Sequence, residues 1–245
     1  MTIIDTHTHV WLRRAESDRR ELLECLDAVP LRRLYVSGIR EYDPDPETVI
    51  QGNDAVLALM RADERVRGQA FLNPRHGTAA LDELSRCRDL GFVMVKLWQA
   101  TRADDPLNGP IYERCIAWNL PVLQHSFVPQ PGVARAGEST PEAVAAAARR
   151  YPELTIQMAH MGGDFIRGVE AVADCPNVLV DPSGSYGERG MVEYAVARLG
   201  ADRVVFGSDM PASDIYHNLG KVLGADLDPE QREKVLWKNA ERMLP

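Results

Sequence analysis

The chain has 245 residues, 45% of them hydrophobic, with 28 Lys and Arg against 36 Asp and Glu, for a formal net charge of −8. No basic run exceeds a pair such as Arg13-Arg14, which excludes nucleic acid as the main partner, because phosphate binding needs clustered cations. No run of 18 apolar residues is present and Asp5 interrupts any signal-peptide core, so neither a membrane span nor a leader is expected.

The chain opens on a short apolar run that ends in His7-Thr8-His9. Trp11 to Asp18 is polar and reads as a loop, and Leu22, Leu23, Leu26 and Val29 follow helical spacing up to Pro30. Leu34 to Ile39 is a β-branched run. A polar connection with Pro44 and Pro46 leads to a helix carrying Val56, Leu57 and Met60. Gly68 to Leu72 is strand-like and stops at Asn73-Pro74. Leu81, Leu84 and Cys87 mark a helix with Gly91 beyond its end. Phe92 to Val95 is wholly apolar and ends in Lys96. Pro110 opens a helix through Trp118, and Pro121-Val122-Leu123 ends in Gln124-His125. Ser139-Thr140-Pro141-Glu142 starts an alanine-rich helix that Pro152 stops. Leu154 to Ala159 ends in His160. Asp164 caps a helix expected to reach Cys175-Pro176. Val178 to Val180 ends in Asp181, Met191 to Leu199 is helical, and Arg203 to Phe206 ends in Gly207-Ser208-Asp209. A last helix starts at Asp228.

Eight strand-like runs alternating with helices indicate a parallel sheet buried on both faces. One domain over residues 1–245 fits an α/β fold of the (β/α)8 TIM-barrel type, with distortion allowed. An open doubly wound sheet would instead carry a glycine-rich phosphate turn after the first strand, where this chain has His-Thr-His. Cys25, Cys87, Cys115 and Cys175 are scattered without a CxxC, so no disulfide framework or zinc knuckle is expected. A cytoplasmic protein with a small-molecule substrate fits these features, and they leave homo-oligomerisation open.

Barrel active sites lie at the C-terminal ends of the strands. Those ends hold His7 and His9 (first run), Lys96 (fourth), His125 (fifth), His160 (sixth) and Asp209 (eighth). Residues i and i+2 of a strand share a face, so His7 and His9 present two imidazoles together, and imidazole suits zinc, copper, nickel and iron. An HxH alone is a weak signal. Four of the six histidines at strand ends is a much stronger one, and it points to a metal site. His76 and His217 fall in loop or helix contexts. Asp181 reads as a loop-binding or capping residue.

These motifs resemble the amidohydrolase superfamily, in particular its short metal-dependent branch related to aminocarboxymuconate semialdehyde decarboxylase. The likeness runs through Ile4-Asp5-Thr6-His7-Thr8-His9, Val95-Lys96-Leu97, Pro121 to His125, Ala159-His160-Met161-Gly162-Gly163 and Phe206 to Pro211. It implies a barrel with one or two divalent metals, zinc above all, held by His7, His9, His125 and Asp209 with His160 close by. Trp98-Gln99 departs from the His-Pro that the branch often carries there, which bears on substrate.

On this resemblance the expected activity is hydrolysis, a metal-activated water attacking a C=O or C=N carbon of a small amide, lactone or related compound. Asp209, His160 and Lys96 are the expected catalytic residues. Asp209 accepts and returns a proton. Lys96 either bridges two metals as a carbamate or holds a substrate carboxylate as an ammonium. The alternative is non-oxidative decarboxylation of a small aromatic acid. A catalytically dead binding barrel is a third reading, and no ligand is missing to favour it. Trp11, Trp98, Phe127 and Tyr186 follow strand ends and are placed to wall the pocket, and Phe127 to Gly137 has the length of a lid.

Overall fold

The computed structural model describes residues 1–128 and 135–244, so most of the expected lid, residues 129–134, lies outside the described residues. Seven parallel strands pair in the order β1 to β7: β1 Ile3–Trp11, β2 Leu31–Ile39, β3 Val66–Phe71, β4 Met94–Leu97, β5 Val122–Gln124, β6 Ile156–Met158 and β7 Val178–Val180. Between them run α1 Ala15–Ala28, α2 Pro46–Ala62, α3 Thr78–Asp89, α4 Gly109–Trp118, α5 Pro141–Arg150 and α6 Phe165–Ala171, with α7 Met191–Leu199 after β7. The last four strands are three or four residues long and buried throughout, as expected of strands with helices on one face and a barrel interior on the other.

The eighth run is extended but is not a ladder strand. Val205 N–H donates to the Val180 carbonyl (3.0 Å), and the Phe206 carbonyl accepts from Thr6 N–H (3.1 Å), so this segment joins β7 to β1. Isolated parallel bridges, Val180 with Val204 and Thr8 with Met210, complete the closure. Its pairing groups are partly engaged elsewhere. Phe206 N–H donates to the Val235 carbonyl (2.9 Å), and Asn239 Nδ2 spans the carbonyls of Ala201 (2.7 Å) and Val204 (2.8 Å). The result is a distorted (β/α)8 barrel.

Three local expectations are corrected. The stretch read as a loop over Trp11–Asp18 is a 3-10 turn followed by the first turn of α1, because buried Asp18 accepts from Trp11 N–H (2.8 Å) and folds the chain back. The helix capped by Asp164 ends at Ala171, short of Cys175. An additional helix, α8, spans Ile215–Leu223. Asp214 caps it, and Ile215, Asn218, Leu219 and Val222 form its buried face.

Tyr35, Met94 and Leu123 form an apolar layer with Ala240 and Leu244 of the C-terminal segment. Each lies two residues before Ser37, Lys96 or His125, and therefore on the same strand face. The apolar layer thus sits directly beneath the strand-end residues. All four cysteines are free and buried. Among the described residues, no helix is long and apolar enough to cross a membrane.

Candidate metal centre

β1 carries the first two imidazoles. The register of β1 against β2 slips between Asp5 and Thr8, a bulge of the kind that re-aims a side chain. His7 and His9 end with their rings 5.0 Å apart and nearly perpendicular. Asp5 Oδ1 accepts from the backbone N–H groups of His7 (3.1 Å) and Ser208 (3.0 Å), which ties β1 to the turn carrying Asp209. Asp209 N–H in turn donates to the His7 carbonyl (2.7 Å). That turn brings residue 207 so close to β1 that a Cβ there would lie 2.7 Å from His7 Cβ, so only glycine fits.

Asp209 Oδ1 lies 3.0 Å from His9 Nε2 and 3.5 Å from His7 Nε2. Lys96 Nζ lies 3.1 Å from the same His7 nitrogen. His160 joins from the end of β6, its ring 5.0 Å from His7 and 5.2 Å from His125. One ligand atom each from His7, His160 and Asp209 falls within 4.8 Å of the others. His160, Met161 and Asp209 all adopt left-handed backbone conformations (φ 59°, 45° and 62°). Non-glycine residues bear such strain where the surrounding structure enforces it. At His160 and Met161 Asp181 does so, accepting at Oδ1 from His160 N–H (3.0 Å) and through its carbonyl from Met161 N–H (2.8 Å).

Asp181 and Ser183 are the residues that sequence reading left out. Asp181 ends a strand just as Lys96 does, and that was the available signal. It is fully buried, and its Oδ2 accepts from Gln157 Nε2 (2.6 Å) and from His7 Nδ1 (3.1 Å). Ser183 Oγ donates to Asp181 in a short hydrogen bond, leaving its lone pairs for His7 Nδ1 (3.0 Å) and His160 Nδ1 (2.9 Å). The second contact of His160 Nδ1 is the Ser183 carbonyl (3.2 Å), which can only accept. Both Nδ1 atoms therefore carry hydrogen, so in each ring Nε2 is the nitrogen left for other partners. This is the tautomer in which a partner on one ring nitrogen prepares the other for a metal.

The electrostatics agree. Burial, followed by the nearby Lys96 charge, pushes His7 down to about 3. Burial pushes His9 and His125 down to about 4, so all three rings are neutral at pH 7. Burial works against charge on Asp209, but the His9 hydrogen bond and the neighbouring histidines outweigh it and hold the carboxyl well below its usual range. Asp181 is held ionised in the same way, with His7 the main opposing influence to burial. Lys96 is lowered to about 8 by burial, against the pull of Asp209 and Asp181. A carboxylate facing two neutral imidazole nitrogens is a donor set that suits a divalent cation.

His125 is turned differently. Its Nε2 accepts from Gln99 Nε2 (3.0 Å), while Gln99 also donates to Glu138 (3.1 Å) and accepts from Arg135 (2.9 Å). His76, beside Asn73, and exposed His217 lie away from the centre. Two cavities open from it, and both are lined by His125, His160 and Asp209. One, of about 220 Å³, is walled by Phe127, Phe165, Tyr186 and Met191. The other, of about 170 Å³, is walled by Trp11, Trp98 and Tyr42 with Lys96 and Arg135.

A closed ring of parallel strands with imidazoles and a carboxylate gathered at their C-terminal ends defines a metal-dependent barrel enzyme. The amidohydrolase family model matches residues 4–245, and the chain belongs to that family. Gamma-resorcylate decarboxylase of Polaromonas sp. (strain JS666 / ATCC BAA-500) is 25% identical over an alignment of 249 residues covering 81% of this chain and 76% of that protein. The structure of 5-carboxyvanillate decarboxylase from Sphingomonas paucimobilis superposes with a TM-score of 0.78 at 17% identity, covering 99% of this chain and 98% of that one. The dihydroxybenzoic acid decarboxylase of Polaromonas sp. JS666, solved with bound manganese and the inhibitor 2-nitroresorcinol, gives 0.74 at 20% identity, covering 99% and 96%.

Proposed function

We propose that this chain is a metal-dependent, non-oxidative decarboxylase of a small hydroxylated aromatic carboxylic acid. The observation that carries this reading is a buried lysine, 3.1 Å from His7 Nε2, in an aromatic-walled cavity that Asp209 and His160 also line. Among the decarboxylases similar to this chain are proteins named for resorcylate and dihydroxybenzoic acid. These names favour decarboxylation over the hydrolysis that the motifs first suggest.

His7, His9, His125 and Asp209 would hold the metal, with His160 beside it, and His125 exchanging its Gln99 contact for the ion. When bound, the metal supplies a fixed positive charge for the substrate's oxygens. A donor set of nitrogen and oxygen admits manganese as well as zinc. The His7 Nε2 lone pair serves one partner at a time, so with His7 on the ion Lys96 would be released to hold the substrate carboxylate as an ammonium. The aromatic walls orient the ring and exclude water.

The reaction needs one proton and no oxidant. His160, with Nδ1–H committed to Ser183, passes a proton through Nε2, and Asp209 accepts and returns it. The proton adds to the ring carbon that bears the carboxylate. The bond from that carbon to the carboxylate then breaks, its electron pair returns to the ring, and CO2 leaves.

The metal-loaded protein incubated with 2,6-dihydroxybenzoate and related ortho-hydroxybenzoates in D2O tests this. One deuterium on the carbon that lost CO2, with turnover abolished by chelator, is the expected result. Hydrolysis of lactones or amides with no CO2 from any aromatic acid would overturn it.

A further inference from the structure

The two cavities that share His125, His160 and Asp209 are oppositely charged. In the smaller one, Lys96 and Arg135 both reach the lining. The Arg135 guanidinium lies 3.6 Å over the Tyr42 ring, which packs on Trp98 (4.6 Å), and Trp98 packs on Trp11 (5.5 Å). Its Nη1 donates to Gln99 Oε1, and among the described residues the other donors of the fork have no hydrogen-bond partner and can meet an anion. Glu138 interacts with Arg135 and contacts Gln99 (3.1 Å) and His125 Nε2 (3.5 Å), but it does not line this cavity, whose wall carries the two cations. Among the described residues, the larger cavity has no cationic side chain on its wall. Apart from the shared floor, its one charged liner is the carboxylate of exposed Glu188, at the rim of an otherwise largely apolar wall.

We infer that this charge polarity fixes the orientation of the substrate and selects against a second, distal carboxylate. The inference rests on the reading of the site as one for aromatic acids. The carboxylate of the ring points into the Lys96–Arg135 lobe, where Arg135 guides it beneath the tryptophans. The opposite edge of the ring fills the lobe of Phe127, Phe165, Tyr186 and Met191. A carboxylate on that far edge would enter an apolar pocket and face Glu188, so it is opposed by both desolvation and like charge. Arg135 and Glu188 are thus specificity residues. One attracts the reacting group and the other excludes a wrong substrate, and selectivity is the difference between the two effects.

Calorimetric titration of the metal-loaded full chain with benzoate, benzene-1,4-dicarboxylate and benzamide tests this without turnover. Wild type should bind benzoate more tightly than either other ligand. Glu188→Gln should tighten binding of the 1,4-dicarboxylate by roughly three- to tenfold, the scale of one screened charge, and leave benzoate within about twofold. Arg135→Gln should weaken benzoate several-fold and barely change benzamide. Absence of benzoate binding to wild type, no gain for the dicarboxylate in Glu188→Gln, or equal losses for benzoate and benzamide in Arg135→Gln would each overturn the inference. Release of CO2 with unchanged ligand ratios would defeat the orientation alone. Expected ratios without CO2 release would defeat the decarboxylase reading alone.

Discussion

At the scale of single residues, the site depends on which nitrogen of each histidine carries a proton. Ser183 and Asp181 commit the Nδ1 atoms of His7 and His160, so His160 acts only through Nε2. His160→Asn is expected to keep most of the metal and lose about 10²–10⁴ in turnover, the contribution of one positioned acid or base. Metal analysis alongside kcat distinguishes this from loss of a ligand. Lys96→Ala is expected to keep one metal per chain and raise KM for carboxylate substrates more than it lowers kcat, because an ammonium on the carboxylate contributes ground-state binding. Two metals per chain in wild type, falling in the variant, would instead make Lys96 a bridging carbamate. The strand-end rule brought His7, His9, Lys96, His160 and Asp209 to one place from sequence, because period-two alternation decides which side chains face the barrel interior. Asp181 reads from sequence only as a loop cap, because an aspartate after a strand is common in that role. Its role is set by His7 and Gln157, which are distant in sequence and adjacent only in the folded barrel. The Gln99 contact that turns His125 was illegible for the same reason.

At the scale of elements, α8 buttresses the loop after β7. Lys221 Nζ donates to the carbonyls of Pro182 and Gly184 and to Asn218 Oδ1, each at 2.8 Å, and so clasps both sides of Ser183. Three acceptors require the ammonium form. Burial, opposed by Asp181 and Asp209, lowers Lys221 to about 8. Between about pH 8 and the ordinary lysine value, the folded chain has released a proton that the unfolded chain retains. Unfolding then takes up a proton, so this group's contribution shifts in favour of the folded state as pH rises through that window. Lys221→Met keeps the stem and has no proton to lose. The stability of wild type relative to Lys221→Met, from denaturant midpoints at pH 7 and pH 10, should therefore move in wild type's favour at the higher pH. A constant difference would show that the lysine does not titrate there. This helix was hidden in the sequence because its nine residues follow a strand end already crowded with turn signals, Gly207-Ser208 and Pro211. Longer helices such as α2 and α5 carried their own capping residues and spacing, and the strands beside them were plain from composition.

At the scale of the whole molecule, the barrel is closed by a segment that relies on the chain's C-terminal helices. Asn239 is almost fully buried, and its amide satisfies two carbonyls of the closing segment. Asn239→Ala leaves both without this partner, and a loss of about 1–3 kcal/mol is expected from unmet buried groups. Denaturant unfolding measures this, and an unchanged midpoint would mean that another donor replaces the amide. The eighth run looked like its seven predecessors in composition, and only the competition of Val235 and Asn239 for its neighbours distinguishes it. That closure also orders events during synthesis. Thr6 meets Phe206 across 200 residues of chain, and Asp5 meets Ser208 across 203. During synthesis His7 and His9 therefore emerge long before Asp209, the carboxylate that faces them in the folded barrel. A growing chain can therefore present the two imidazoles but not the arrangement that faces them with a carboxylate. Their juxtaposition is left to the folded protein, after the closing segment has docked on β1.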